Sequence, residues 1–383
     1  MNYICPICGN EDSKYLGLRN GKIYCRRCIS FRGQEASENN ILNKDFDFEL
    51  NYELSEDQKK LSNQLVDNYR KGINSLVHAV CGSGKTEIVL DLILFCLIHH
   101  LQVGFAIPRR DVIIELHDRF KKIFKNARIA LVYGGHTNML EGDIVCCTTH
   151  QLFRYTNYFD LLILDEIDAF PFHGDETLNN YFYRAVKGHY VLMSATTNEE
   201  MIQDFKKIGG EVLTLNQRFH RYPLPVPEII VGNKLKLLFE LYRLMKEFKN
   251  SKKQVFIFVP TIDMSKSILT FLNFFFKNGN YVSSKRDKRE NIIEDFKKKR
   301  CWYLVTTSIL ERGVTVKDLQ VIIYQTNNRV YTAEALIQIA GRAGRKKEAP
   351  EGRVIYLAKT VNESMEKSIK SINDSNKDLQ DLF

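Results

Sequence analysis

From Leu54 onward the chain repeats one pattern, in which short apolar, β-branched runs alternate with segments of helical period. LVHAV, VGFAIP, IALVYG, DIVCCTT, LLILD and YVLMSAT are such runs, and DVIIELHDRFKKIF is typical of what separates them. A run that is apolar at every position suits a strand buried on both faces. Strands that alternate with helices pair in parallel, because each helix carries the chain back across the sheet. The pattern therefore restricts the fold to the α/β class with parallel sheets. It breaks at RYPLPVPE, residues 221–228, where three prolines within five residues can continue neither a helix nor a central strand. VFIFVP, WYLVTT, VIIYQT and RVIYLA then resume it. The expected organisation is a cysteine-rich module at 1–33, a polar linker at 34–53, a first α/β domain at 54–220, a proline-rich linker at 221–228 and a second α/β domain at 229–383.

The 383 residues carry a formal charge of +9, with 44% hydrophobic and 26% charged residues, as in globular proteins generally. Lys and Arg are spread along the chain, so the excess points toward a polyanionic partner without naming one. MNYICPICGNED has no basic and apolar signal regions, and the most apolar stretch, IVLDLILFCLI, is too short for a membrane span and contains Asp91. No secretory signal and no membrane span are expected. Cys81, Cys96, Cys146, Cys147 and Cys301 are scattered as reduced thiols would be.

The remaining cysteines stand in pairs, Cys5-Pro-Ile-Cys8 and Cys25-Arg-Arg-Cys28. Two intervening residues let both thiolates of a pair turn toward one ion, and four sulfur ligands make a closed tetrahedral zinc site. Gly9 permits the tight turn that follows the first pair. The expected cofactor is structural Zn²⁺ on Cys5, Cys8, Cys25 and Cys28; the competing reading is a disulfide-linked loop. A contact platform and simple folding support are both open as its purpose.

AVCGSGKTE, residues 79–87, lies between an apolar run and an apolar helix. Gly82 and Gly84 let successive backbone N–H groups, with Ser83 between them, wrap phosphates at a helix N-terminus. Lys85 is placed to reach the β- and γ-phosphates and Thr86 to ligate Mg²⁺, with Glu87 next in the loop. The run LLILD ends in Asp165-Glu166, an acidic pair that is costly without a cation. Asp165 is the candidate Mg²⁺ ligand and Glu166 the base for the attacking water. QIAGRAGR supplies Gln338, Arg342 and Arg345: the arginines would stabilise charge on the γ-phosphate from the second domain, and Gln338 would sense it. The expected cofactors are ATP and Mg²⁺.

In their order, LSEDQ, AVCGSGKTE, AIPRRDV, TTHQL, LDEIDAF, MSATT, FIFVP, TTSILERGVT and QIAGRAGR resemble a superfamily-two helicase core. The four-cysteine module ahead of it, DEIDAFP, HRYPLPVPE, TTSILERGVT and NRVYTAEALIQIAGRAGR are similar to the ComFA family, the DNA-uptake ATPases of naturally competent Gram-positive bacteria. The resemblance implies two RecA-like parallel-sheet domains in tandem behind a small zinc-binding module. It places Gln58 at the adenine, and Ser194, Ala195 and Thr196 between hydrolysis and nucleic-acid binding. Arg312 and Gly313 would touch nucleotide and strand, and Arg109, Gly134, Thr149, Thr261 and Thr307 the sugar–phosphate backbone. Cys81, Ser83 and Ile167 depart from the usual motifs without removing a catalytic group. The family further implies single-stranded DNA as ligand, a small ComFC-type partner, a membrane DNA-uptake channel and a peripheral place on the inner face of the membrane. The alternatives are an RNA or replication-restart helicase and, from another class, a zinc-bearing adaptor that holds ATP without motor activity.

Several features read as ordinary structure. His99 and His100 would end a helix, FLNFFF (residues 271–276) would pack in a core, and the lysine-rich DKRENIIEDFKKKR would be a solvated helix face. Trp302 would be core, and His150 is an outside candidate for a nucleic-acid contact.

Overall fold

The computed structural model describes the chain except for residues 1–2, 29–32, 38–44, 81, 169–171, 173, 198, 216–221, 284–285, 287–288, 311–315, 346–347 and 381–383. It divides into two compact units, one of Met1–Ala79 with Gly84–Leu215 and the other of Val80–Ser83 with Asn216–Phe383.

A small antiparallel hairpin, β1 (Leu16–Arg19) and β2 (Lys22–Cys25), lies between the cysteine pairs. The main sheet of the first unit contains β3 (Ser75–Ala79), β4 (Val103–Ile107), β5 (Ile129–Val132), β6 (Ile144–Thr148), β7 (Phe159–Leu164), β8 (Val186–Ser194) and β9 (Glu211–Leu215). All are parallel, in the order β5-β6-β4-β7-β8-β3-β9. Successive residues of each strand serve opposite faces. Leu161 and Ile163 join the core beneath the helices Glu56–Arg70, Leu90–Ile98 and Arg110–Ile123, while Leu162 and Leu164 join the core beneath Glu176–Ala185. The Arg110–Ile123 helix shows why such segments fold this way: Ile113, Leu116, Phe120 and Ile123 recur at helical spacing on its buried side.

The second unit has β10 (Glu228–Val231), β11 (Gln254–Phe258), β12 (Gly279–Val282), β13 (Tyr303–Thr306), β14 (Leu319–Tyr324) and β15 (Val354–Ala358), again parallel, in the order β10-β15-β14-β11-β13-β12. Phe256 and Phe258 face one core and Val255 and Ile257 the other. The expectation that FLNFFF packs inward holds for Leu272 and Phe276, which are buried, and fails for Phe274, which is 85% exposed, and Phe275, at 45%. The helix Ile262–Phe275 turns 100° per residue, so Phe274 emerges opposite the buried Leu272.

The polar stretch after the cysteines is bonded to the rest of the first unit at several described residues. Ala36 N–H donates to the Arg154 carbonyl at 2.9 Å, and the Arg154 guanidinium returns a 2.6 Å bond to the Gln34 carbonyl. Ser37 donates to Glu141, and Arg184 reaches Glu35 at 3.2 Å. Further on, Phe48 packs on Phe124 and Lys125 pairs with Glu49.

Candidate nucleotide site and zinc cluster

The carboxyl ends of β3, β8 and β7 lie side by side, the place where open parallel sheets bind ligands. After β3 the loop holds Gly82 at φ +84° and Gly84 at φ +83°, a conformation that costs any side-chain-bearing residue about 1–2 kcal/mol. At Gly84 a Cβ would also collide with Gln58 Nε2. Lys85 opens the short helix Lys85–Ile88, so Thr86 and Glu87 stand in its first turn. Ser83 is buried, and its N–H donates to the Val80 carbonyl at 3.1 Å. Cys81 lies outside the described residues.

Two strands away, Asp165 directly follows β7. Its Oδ1 stands 3.9 Å from Lys85 Nζ, so long side chains close a gap of about 10 Å between strand ends. Burial raises the Asp165 carboxyl above its usual range; Lys85 opposes the shift, and the Glu166 charge adds to it. Such an environment favours a bound cation. Glu166 itself has φ +60°, a strained value for glutamate, held by the bond from its N–H to Asp165 Oδ1 at 2.8 Å.

Asp168, two residues beyond Glu166, lies outside the acidic pair that the motif identifies. Its Oδ1 accepts the Ser194 hydroxyl at 3.0 Å and its Oδ2 the Thr196 hydroxyl at 2.9 Å. One carboxylate thus ties the loop of Asp165 and Glu166 to the end of β8, with Ala195 buried between the two hydroxyl residues. The spacing DEID was the available signal. His78 on β3 makes a second tie, Nδ1 to Thr197 Oγ1 at 3.0 Å. Burial pushes its pKa down, the neighbouring Lys85 pushes the same way, and Asp168 opposes both.

Gln58 is buried beside the loop. Its backbone N–H donates to Ser55 Oγ at 3.2 Å and its Oε1 accepts from Ser55 N–H at 2.9 Å, a reciprocal cap at the start of the Glu56–Arg70 helix. The cap leaves Nε2 directed to the loop. Glu87 accepts from Arg119 at 2.6 Å and from the Tyr52 hydroxyl at 3.2 Å, while Arg119 also donates to Tyr52 at 2.9 Å. Glu87 and Tyr52 hold the Arg119 guanidinium charged against its burial. No local pattern connects these three residues, so only the fold reveals them.

Arg109 immediately precedes the Arg110–Ile123 helix and is half-buried. Exposed Gly134 lies in the turn between Tyr133 and His136, whose rings stack at 5.0 Å, with the Arg110 guanidinium over the Tyr133 ring. A Cβ at Gly134 would meet nothing, whereas Gly135 needs its φ of +84°. Thr149 is fully buried and presents no surface to a ligand, unlike the contact expected of it; His150 beside it is half-buried and held below its ordinary pKa by burial. In the second unit exposed Thr261 caps the Ile262–Phe275 helix by accepting from Met264 N–H, and Thr307 follows β13 half-buried. Gln338 and Arg342 are buried at and just beyond the end of the Ala333–Ala340 helix, and half-buried Arg345 follows Gly344 at φ +61°. Arg312 and Gly313 lie outside the described residues.

Cys5, Cys8, Cys25 and Cys28 are all buried, with their four sulfurs within 4.8 Å of one another. Cys5–Cys28 and Cys8–Cys25 Sγ distances are 3.7 and 3.6 Å, close to the edge of a tetrahedron with a metal–sulfur bond of about 2.3 Å, and no disulfide is formed. The donor set and spacing fit zinc. Gly9 turns at φ +64° with its N–H on the Cys5 carbonyl. The cluster rests on the Glu176–Ala185 helix: Asn180 donates to the Cys8 carbonyl at 2.6 Å, Arg27 pairs with Glu176 at 3.2 Å, and the buried Tyr181 belongs to the same core.

Residues 55–205 match the DEAD/DEAH box helicase model and residues 233–347 the helicase conserved C-terminal domain. Among solved structures, the fold is similar to the DEAD-box helicase Mss116 bound to ssRNA and UDP-BeF, with a TM-score of 0.66 at 19% identity over 83% of this chain and 77% of that one. It is also similar to S. cerevisiae Dbp5 bound to RNA and ADP BeF3, with a TM-score of 0.58 at 18% identity over 85% and 92%. Competence protein ComFA of Bacillus subtilis is 33% identical over 98% of this chain and 86% of its own length. ComFA of Streptococcus pneumoniae is 32% identical over 98% and 90%. The chain belongs to the ComFA family of competence proteins, and it is an ATPase of the superfamily-two helicase type with two RecA-like domains.

Proposed function

We propose that this ATPase is a translocase on single-stranded DNA that drives DNA uptake during transformation. The observation that carries the reading is the Asp168 carboxylate, which fastens the hydrolytic loop to both hydroxyls of Ser194 and Thr196. A change at the γ-phosphate then moves the end of β8 with it, which is what a motor needs and a static ATP holder does not. Lys85 and the loop amides hold the phosphates, Thr86 and Asp165 hold Mg²⁺, and Gln58 meets the adenine through its Nε2. Glu166 takes a proton from the attacking water, Gln338 senses the γ-phosphate, and Arg342 and Arg345 neutralise its charge. Bound Mg²⁺ supplies charge neutralisation between the phosphates. Arg109, Gly134, Thr261 and Thr307 grip the backbone without regard to sequence, and Arg312 and Gly313 touch both nucleotide and strand. Zn²⁺ on the four cysteines is structural, since four protein thiolates leave no position for substrate. Family membership supports a small ComFC-type partner and a membrane DNA-uptake channel, with the ATPase peripheral to the inner face of the membrane. Among the described residues no helix is long and apolar enough to cross a membrane.

Steady-state ATP hydrolysis with single-stranded DNA, with matched RNA and with neither tests the reading. Stimulation by DNA above RNA, abolished in Glu166→Gln, supports it. Equal stimulation by RNA favours an RNA helicase, and no stimulation favours an adaptor.

A further inference from the structure

The β1–β2 hairpin has no role in the nucleotide site, yet its composition is one-sided. Residues 13–28 contain Lys14, Arg19, Lys22, Arg26 and Arg27 and no acidic residue. Lys14 pairs with Asp12 at 2.8 Å and Arg27 with Glu176, whereas Arg19, Lys22 and Arg26 are exposed with no carboxylate partner among the described residues. Arg19 and Lys22 stand directly opposite each other across the strands, flanking the turn of Asn20 (φ +50°) and Gly21 (φ +74°). Like charges in that position repel unless an anion lies between them.

The alternation of the strands sorts the hairpin into two faces. Arg19 and Lys22 share theirs with Gly17 and Tyr24, and the Tyr24 ring occupies the space beside Gly17, where a Cβ would be 2.5 Å from the ring. The other face presents Leu18, 72% exposed, opposite Ile23, 47% exposed. A half-exposed aromatic ring beside cations on one face matches the chemistry of a single strand, whose bases stack while its phosphates meet Lys and Arg. Mounting also suits a contact surface. The cluster is fixed to the Glu176–Ala185 helix, and the segment that follows crosses Arg154 at the end of the turn that begins at Thr149.

We propose that this hairpin is a strand-contact surface of the zinc module, holding single-stranded nucleic acid through Arg19, Lys22 and Arg26 on its phosphates and Tyr24 on its bases. The proposal rests on the reading of the protein as a DNA motor and adds to it a contact outside the helicase core.

The test is binding of labelled oligo(dT) to the full-length protein, by anisotropy over a range of salt, beside ATP hydrolysis. Arg19→Glu with Lys22→Glu is expected to weaken binding about tenfold or more and to flatten the salt dependence by about 1.4, the share of two phosphate contacts on a single strand. Hydrolysis without DNA and at saturating DNA should stay unchanged, and the zinc content should match the parent. If the double reversal loses zinc, Arg19→Gln with Lys22→Gln decides, with the same loss of salt dependence expected. Affinity and salt slope equal to the parent's, with zinc retained, overturn the proposal and leave the hairpin to a protein partner. A parent that binds oligo(dT) without faster hydrolysis overturns the motor reading alone, and a parent that does not bind overturns both.

Discussion

Glu166 shows how a single residue holds function against local preference. Its φ of +60° disfavours a side chain by about 1–2 kcal/mol, and the bond from its N–H to Asp165 holds it there. Glu166→Gly should therefore raise the unfolding free energy by about 1 kcal/mol in a chemical melt while hydrolysis disappears. Gly84→Ala should do the opposite, costing stability and nucleotide binding together, because its φ is +83° and Gln58 occupies the space a Cβ needs. Asp168→Ala removes the acceptor shared by Ser194 and Thr196; loss of two partly buried bonds should cost about 1–3 kcal/mol. ATP affinity should persist while nucleic-acid stimulation is lost, seen as a fall in the stimulated rate with the half-saturating ATP concentration little changed. These residues were legible to different degrees. Gly84 and Glu166 stand in motifs that a reader finds directly, but the partners of Asp168 could not be read, since nothing local says that 168 meets 194 and 196.

At the scale of elements, the Glu176–Ala185 helix serves two purposes. It covers one face of the main sheet and seats the cysteine cluster through Asn180 and Tyr181. Tyr181→Ala should leave a cavity at that seat and cost about 3–5 kcal/mol, by analogy with other large buried rings. Limited proteolysis should then cut within the cysteine module before the helicase core. The strands were legible because runs buried on both faces are apolar throughout, and helices such as Arg110–Ile123 because their buried residues recur at helical spacing. The β1–β2 hairpin was not drawn from the cysteine spacing, although Asn20-Gly21, both at positive φ, is the kind of turn that joins two short strands. The 34–37 strap was not legible, since its attachments are hydrogen bonds to distant Arg154, Glu141 and Arg184 that leave no periodic trace.

Across the whole molecule, burial depresses the pKa values of His78, His117 and His150, among the described histidines of the first unit, below the ordinary 6.5. A base depressed in the folded state binds fewer protons than the unfolded chain does just below pH 6.5, so its stabilising contribution is complete above that value and is lost as the pH falls toward the folded pKa. The melting temperature of the first unit should drop between pH 7 and pH 5.5, and His78→Gln should make that dependence shallower. The sequence alone determined the α/β class, the parallel sheets, the glycine loop, the acidic pair and the four-cysteine set, because periodicity and short spacings act within one element or one turn. Tertiary structure decided which strand ends adjoin, and hence that Lys85 stands by Asp165, that Asp168 holds Ser194 and Thr196, that Arg119 joins Glu87 to Tyr52 and that Phe274 faces outward. Those outcomes depend on strand order and helix docking, and local hydrophobic patterning encodes which face of an element is buried but not which neighbour buries it.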